Sequence, residues 1–551
     1  MKNLRHSKLL SFAIIGVSAL VLTGCGAQKH DSSAQKDKTV SVSAGSTINT
    51  MDSSLNTDMY GAQNLFNTME GLYRFTGKKL EPGVAKSIAK PTDGGKKYTI
   101  ALKHTKWSNG DPVTANDFVY AWRRIVDPKT GSQYSYIYSG IKNADAIVAG
   151  KKAPDTLGIK ALGKYKLQIT LEHPIPYFNT LVTGSQFLPI NQKTVATLGD
   201  KYGLTSKGMI FNGPFKLENW KVGDTEWHEV KNNSYWNAKN VKLNQLKYYY
   251  IADPNTGLNL YDTKVLDRYQ DLSGDSARQL SHNKDFKTTP QNSTSFLEMN
   301  EKTHPYFKNA KLRQALSLTI NRNETSNNIL GKTGLPAHQL TPSNMSKNPT
   351  TGTDFTNEPA IVADRKYTEY NPEKAKQIWL EGLKETGQKE INVTLTADNT
   401  DTTKKVAEYL QSNMEKDLPG FHMTISSVPF KTRMQRQANK SFDMITGSWM
   451  ADYPDPTNFL DLFTTGNSNN DGSWSNKQYD ALVKKAETTD ANDPQARWQD
   501  MIQAQDILTK EQGVITTYQD NSAALTKPDV KGFTSTPTGM YDMGAVYKTN
   551  K

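Results

Sequence analysis

Residue types that could do chemistry are thinly spread along this chain. Of 551 residues, one is a cysteine (Cys25) and nine are histidines. A lone thiol forms no internal disulfide, and a metal or redox centre ordinarily gathers several thiols or clustered imidazoles. No histidine stands at the i, i+4 or H-x-E spacing that aims two ligands from one helix face. His104, His173, His228 and His304 read as structural or surface groups. No metal site and no cofactor is expected. The G-x-S-x-G turn that exposes a nucleophilic serine is missing, as is the G-x-G-x-x-G dinucleotide loop. "LGKTG" (Leu330 to Gly334) lacks the leading glycine of a phosphate loop, because Ser326 stands in its place. Neighbouring carboxylates do occur in "ADYPDPTNFLD" (Ala451 to Asp461), but Asp beside Pro ordinarily makes turns. These residues do not point to an enzyme.

The cysteine gains meaning from its neighbours. Residues 1–8 are basic, 9–22 are apolar, and Leu22-Thr23-Gly24-Cys25 follows. A basic start, a short apolar run and small residues describe an export signal, and the run is too short for a comfortable membrane span. The last four residues resemble the bacterial lipobox, in which the thiol receives a diacylglycerol and cleavage leaves the cysteine first. That resemblance makes 1–24 a lipoprotein signal peptide and Cys25 the lipidation site. Two acyl chains on one residue hold a protein stably on a membrane. The polar stretch 25–38 reads as a flexible tether. No later stretch is long and apolar enough to span a bilayer. The net charge of +12 is scattered among Asp and Glu rather than gathered into a phosphate-tracking block, so nucleic acid is not an expected partner.

The body interleaves strands and helices. "TVSVSAG", "KKYTIALKH", "YKLQITLE" and "INVTLTAD" alternate apolar and polar residues, as half-buried strands do. "TANDFVYAWRRIVDP" offers Thr114 and Asp117 as a capping pair, then Phe118, Ala121, Trp122 and Ile125 as one apolar stripe. Asn309 precedes a helix carrying Leu312, Leu316 and Ile320, and Asn371-Pro372 opens another. The fold class is α/β. No internal repeat and no low-complexity linker marks a boundary.

Three stretches together identify a family: "LKHTKWSNGDPVTANDFVYAWRRIVDP" (Leu102 to Pro128), "PYFKNAKLRQALSLTINR" (Pro305 to Arg322) and "FDMITGSWMADYPDPTNFLDLF" (Phe442 to Phe463). In this order and spacing they resemble the peptide/nickel-class extracellular solute-binding proteins of ABC importers, and among these the oligopeptide-binding lipoproteins. The resemblance implies a two-lobed, periplasmic-binding-protein-like α/β fold of three domains that closes by a hinge around its ligand. Carried over, domain I covers 39–70, 208–300 and 522–551, domain II covers 71–207, and domain III covers 301–521. It further implies an oligopeptide ligand, permease and ATPase subunits as partners, a monomeric state and no enzymatic activity. A single lipidated cysteine and a long tether suit the outer face of a Gram-positive cell membrane. The same fold also serves receptors for signalling peptides (pheromones), and binders of nickel chelates or haem.

In the family an extended peptide adds as a strand between the lobes, and its α-ammonium meets a carboxylate in a W-x-A-D-Y stretch. Here that stretch is Trp449-Met450-Ala451-Asp452-Tyr453, so the resemblance assigns Asp452 to the ammonium and lines the wall with Trp449, Met450 and Ala451. It places Thr57 and Met59 as backbone partners, Tyr138 and Asn300 as further contacts, and Phe430 in a side-chain pocket. Some relatives hold the peptide C-terminus with an arginine and a histidine, where this chain has Thr446 and Thr403. Arg433 and Arg436 are candidate substitutes, with surface charge as their plainer reading.

Overall fold

A computed structural model describes residues 38–549. Cys25, the expected signal segment 1–24 and the tether through Asp37 lie outside the described residues. The alternating stretches form strands at Thr39–Ala44, Lys97–Ala101, Lys166–Thr170 and Ile391–Asp398. The capping pair behaves as its spacing implies: the Asp117 carboxylate accepts from Thr114 N–H at 2.7 Å and from Thr114 Oγ at 2.9 Å. The helix Ala115–Val126 then buries Phe118, Trp122 and Ile125 and stops at Asp127, before Pro128. Asn371 caps Pro372–Thr386 by accepting from Lys374 N–H at 3.0 Å.

One eleven-stranded sheet organises the described residues. Its strands, numbered in chain order, are β1 (Thr39–Ala44), β2 (Phe215–Glu218), β3 (Glu226–Lys231), β4 (Gln245–Tyr250), β5 (Arg268–Leu272), β6 (Phe286–Met299), β7 (Gly334–Pro336), β8 (Ile391–Asp398), β9 (Phe421–Val428), β10 (Met444–Met450) and β11 (Ile515–Thr526). They lie in the order β9-β8-β10-β6-β11-β5-β1-β4-β3-β2, with β7 on the side of β11. Pairing is parallel where β1 meets β4 and β5, and where β8 meets β9 and β10.

The hydrophobic cores show two lobes. One core runs from Val40 to Tyr248, with Val530, Met543 and Val546 added from the C-terminal end. Two others, around Trp379 and around Trp498, draw only on residues between Phe296 and Ile515. The chain passes from one side to the other along β6 and β11. The 14 residues of β6 span about 45 Å. Its first half pairs with the end of β11, at Phe286↔Leu525 for example, and its second half pairs with β10. Between Pro290 and Thr294 the register against β11 shifts. Pro290 has no N–H for a ladder, so a break belongs there. A mixed α/β, two-lobed architecture, as the resemblance implies, is thus what the chain adopts.

Candidate functional site

The stretch Trp449–Asn458 leaves the end of β10 and folds back on itself. Asn458 Oδ1 accepts from Trp449 Nε1 at 3.0 Å and from the Asp452 N–H at 3.1 Å. Ala451 N–H donates to Asn292 O at 2.8 Å, which ties the stretch to β6 at the register break. The two nearby aspartates receive opposite treatment. Asp455 meets Arg497 with two hydrogen bonds, of 2.6 and 2.8 Å. Burial would raise its carboxyl, but the Arg497 guanidinium and the hydrogen bonds from Thr457 together outweigh burial and hold it below the usual carboxylate range. Asp452 is half-buried too, yet no cation faces it among the described residues, and only the Asn458 side chain assists. Burial therefore pushes its carboxyl up to about 6.

Asp452 borders a cavity of about 160 Å³. Its walls come from four further regions: Asn56–Met59 at the start of the helix Met59–Thr68, Tyr134, Thr183–Gln186, and the pair Thr538 and Met540. Tyr134 and Tyr136 stack with centroids 5.6 Å apart. Burial first, then the charge of Asp452, raises both hydroxyls. Asp58 in the same wall is already engaged as the helix cap, accepting from Gly61 N–H at 2.7 Å.

The strand leading to Asp452 has an open side. On the flank away from β6, β10 pairs with β8 only at Met444 and Ile445. Because Ala451 N–H points to β6, alternation turns the N–H and C=O groups of Ser448 and Met450 to that open flank. A second cavity, of about 70 Å³, lies farther along, lined by Ser295, Ser448, Tyr518, Asp398 and Arg433 together with Thr403 and Thr446.

The lobes touch beside the site. Tyr453 stacks on Tyr177 of the other lobe, with centroids 4.0 Å apart and planes 5° apart. Asn492 Nδ2 donates to Gly94 O at 3.0 Å, and Lys78 Nζ to Asn344 O at 2.9 Å. The cleft is therefore closed.

The residues singled out from sequence fall into three groups. Asp452, Met450, Ala451, Thr57 and Met59 line the first cavity together, and Trp449 sits behind it, packed against the helical core and held by Asn458. Tyr138 is fully buried: its ring packs on Trp122 and Phe187, and its hydroxyl donates to Gln186 O at 3.0 Å. Asn300 is also fully buried, with its side chain spent on Lys440 O, Phe442 O and the Lys302 and Thr303 N–H groups. Neither borders the two cavities. Phe430 is 63% exposed at the start of Phe430–Ala438, with Arg433 5.1 Å from its ring. Arg433 is no surface charge: it is 5% exposed and pairs with Asp398 at 2.9 Å. Arg436 donates to Ser426 Oγ at 3.0 Å. Tyr134, Tyr136, Gln186 and Met540 escape a reading of the sequence. "YSYIY" offers three tyrosines two residues apart, and only the turn that the chain takes there decides which of them face the cleft. Among the described residues no three His, Cys, Asp or Glu side chains gather as a metal site. A hollow of about 860 Å³ beside Lys207, Lys216 and Trp220 lies outside the cleft.

Comparison with known proteins agrees with this geometry. Residues 79–471 match the family described as bacterial extracellular solute-binding proteins, family 5, middle. A dipeptide-binding protein of Lactococcus lactis is 34% identical over 99% of this chain and 100% of its own. The structure of Listeria monocytogenes OppA bound to peptide matches with a TM-score of 0.77 at 37% identity, covering 94% of this chain and 100% of that one. The pheromone receptor PrgZ matches with a TM-score of 0.77 at 33% identity, covering 93% and 100%. A cleft closed between two lobes, an anion at its end with no cation of its own, and agreement over nearly the whole length lead to one assignment: this chain belongs to the family 5 bacterial extracellular solute-binding proteins, in its peptide-binding class.

Proposed function

We propose that this protein captures short peptides outside the membrane and delivers them to an ABC importer, whose permease receives them and whose ATPase supplies the energy. One observation carries the reading. Asp452 is a half-buried carboxylate without a cation, placed where the cavity meets the open flank of β10. A peptide supplies what is lacking on both counts. Its α-ammonium neutralises Asp452, and its main chain pairs with the free groups of Ser448 and Met450 as an added strand. Main-chain pairing holds a peptide without reading its sequence, while a buried unpaired ammonium would cost several kcal/mol. The site therefore demands a free N-terminus and tolerates many side chains. The protein itself makes and breaks no bonds in this role.

Cys25 would be the membrane anchor, with 25–38 the tether of a monomeric binder on the outer face of a Gram-positive cell membrane. Domains I, II and III would follow the ranges set out above, turning about the crossing at β6 and β11. Calorimetric titration tests the ligand. Asp452→Ala should weaken free-amine peptides at least a hundredfold and their N-acetylated forms less than threefold. Equal losses would remove the ammonium role. The likeness to PrgZ favours a second reading, a receptor for one signalling peptide. A single peptide bound far more tightly than all others would select it.

A further inference from the structure

The positive charge of this chain, dilute along the sequence, is gathered by the fold. Residues 71–207 hold 21 lysines and arginines against nine aspartates and glutamates, a surplus equal to the net +12 of all 551 residues. Within that range three runs, 82–92, 94–110 and 156–171, contain nine lysines and no acidic residue. These runs pair with one another. Lys166–Thr170 is the middle strand of a three-stranded antiparallel sheet, with Lys97–Ala101 on one side and Ile159–Gly163 on the other. The first run continues the sheet beyond Lys97–Ala101: Ala85 bridges Leu102, and Lys86 N–H donates to Ala101 O at 2.8 Å.

Alternation sorts the sheet into two faces. Tyr98, Ile100, Ile159, Leu167 and Ile169 turn inward and join the core. The outer face carries Lys86, Ala101 and Lys166 in one row, and Thr99, Gln168 and Lys160 in the next. Measured along the backbone, Lys166 lies about 10 Å from Lys86 and about 8 Å from Lys160. Of the nine lysines only Lys97 makes an ion pair among the described residues, with Asp93 at 3.2 Å. Lys103 is spent on the Pro82 and Gly83 carbonyls and on the ring of Trp236. Lys86, Lys160, Lys164 and Lys166 are exposed.

The turn between Ile159–Gly163 and Lys166–Thr170 adds an apolar group. Leu162 is 45% exposed there, with Lys160, Lys164 and Lys166 as its near neighbours in sequence. The turn is held in place: Ala115 N–H donates to Lys164 O and Leu102 N–H to Tyr165 O, both at 2.9 Å. Tyr165 also stacks on His104, with centroids 4.1 Å apart. Ammonium groups alone would suit any polyphosphate. An apolar side chain set among lysines suits a bilayer, whose headgroup phosphates meet the lysines while its acyl boundary takes the leucine. We infer that the outer face of this sheet, with Leu162 at its tip, is a docking surface for an anionic phospholipid bilayer. None of its residues lines either cavity of the cleft, so docking leaves peptide capture free.

The test uses residues 26–551, which contain every described residue, no cysteine and no expected acyl site. In co-sedimentation, vesicles with about 30% phosphatidylglycerol in phosphatidylcholine should bind about tenfold more tightly than phosphatidylcholine alone, and the advantage should shrink in about 0.5 M salt. The triple variant Lys160→Gln, Lys164→Gln, Lys166→Gln should lose most of that advantage. Lys284→Gln, Lys376→Gln, Lys389→Gln removes the same charge from exposed positions elsewhere and should keep it. An environment-sensitive dye on Leu162→Cys should shift to the blue on anionic vesicles and stay unchanged with soluble polyphosphate. No preference for anionic over neutral vesicles overturns the inference on the unsubstituted protein alone, whether or not a variant folds. Equal losses from the two triple variants reduce the effect to net charge and overturn the surface. A dye that stays unshifted on vesicle-bound protein, or tighter binding to polyphosphate than to the vesicles, overturns the bilayer as the partner.

Discussion

Asp452 and Asp455 stand three positions apart in one turn, and their partners separate their roles. Asp455 is locked to Arg497 and belongs to the scaffold. Asp452 is held ready without a partner, and this has a measurable cost. Its carboxyl is raised from the ordinary 3.8 to about 6 in the folded protein. The folded state thus holds this proton more tightly than the unfolded chain does. The resulting contribution to stability is complete below about pH 4 and lost as pH rises through about 6. At pH 7.5 the ionised group burdens the ligand-free protein by up to about 3 kcal/mol. Asp452→Asn should therefore raise the melting temperature of the free protein at pH 7.5 and leave it nearly unchanged at pH 4, as differential scanning calorimetry would show. Peptide affinity moves the other way with acid. An ammonium binds the ionised form, so the affinity of a free-amine peptide should be level above about pH 7 and fall towards pH 5. An N-acetylated peptide should lack that fall. Matching profiles for the two would contradict the assignment.

At the scale of elements, closure depends on contacts that join the lobes next to the ligand anchor. Tyr453 follows Asp452 directly and lies flat against Tyr177 of the other lobe. Aromatic pairs of this kind are worth about 0.5–1.5 kcal/mol beyond burial. Tyr177→Ala should speed peptide release about three- to tenfold in stopped-flow displacement and alter association far less. An unchanged release rate would remove the stack from closure. The helices and strands that build each lobe were legible in advance because caps and periodicity are local. Thr114 with Asp117, and Asn371 with Pro372, mark helix starts without reference to the rest of the chain. The crossing strand β6 was not legible. Nine consecutive residues, Gln291–Met299, are buried, and five of the first five are polar: Gln291, Asn292, Ser293, Thr294 and Ser295. A strand covered on both faces loses the alternation that would announce it.

At the scale of the whole molecule, location and capture are separate properties of one chain. The thiol that would anchor the protein lies at position 25, whereas the cavity is built from residues 56–59, 62, 66, 134, 183–186, 450–452, 538 and 540. Cys25→Ala should release the protein into the medium, or leave it as an unprocessed precursor, while the mature body binds peptide with unchanged affinity. Membrane fractionation and titration together check this. Loss of binding in a folded Cys25→Ala body would show that anchor and cleft are coupled. Among the described residues no helix is long and apolar enough to cross a membrane.

By itself the sequence determined the α/β class, the family and the stretch that holds Asp452, because these rest on local order: alternation along a strand, a cap beside its helix, residues in an unbroken run. Only the tertiary structure decided which aspartate is free and which is paired, since Arg497 lies 42 positions beyond Asp455. It also decided that Tyr134 faces the cavity while Tyr138 fills the core, and that Arg433 is neutralised by Asp398. The reason is the same in each case. Whether a side chain can receive a ligand depends on what already occupies it, and those partners come from distant parts of the chain.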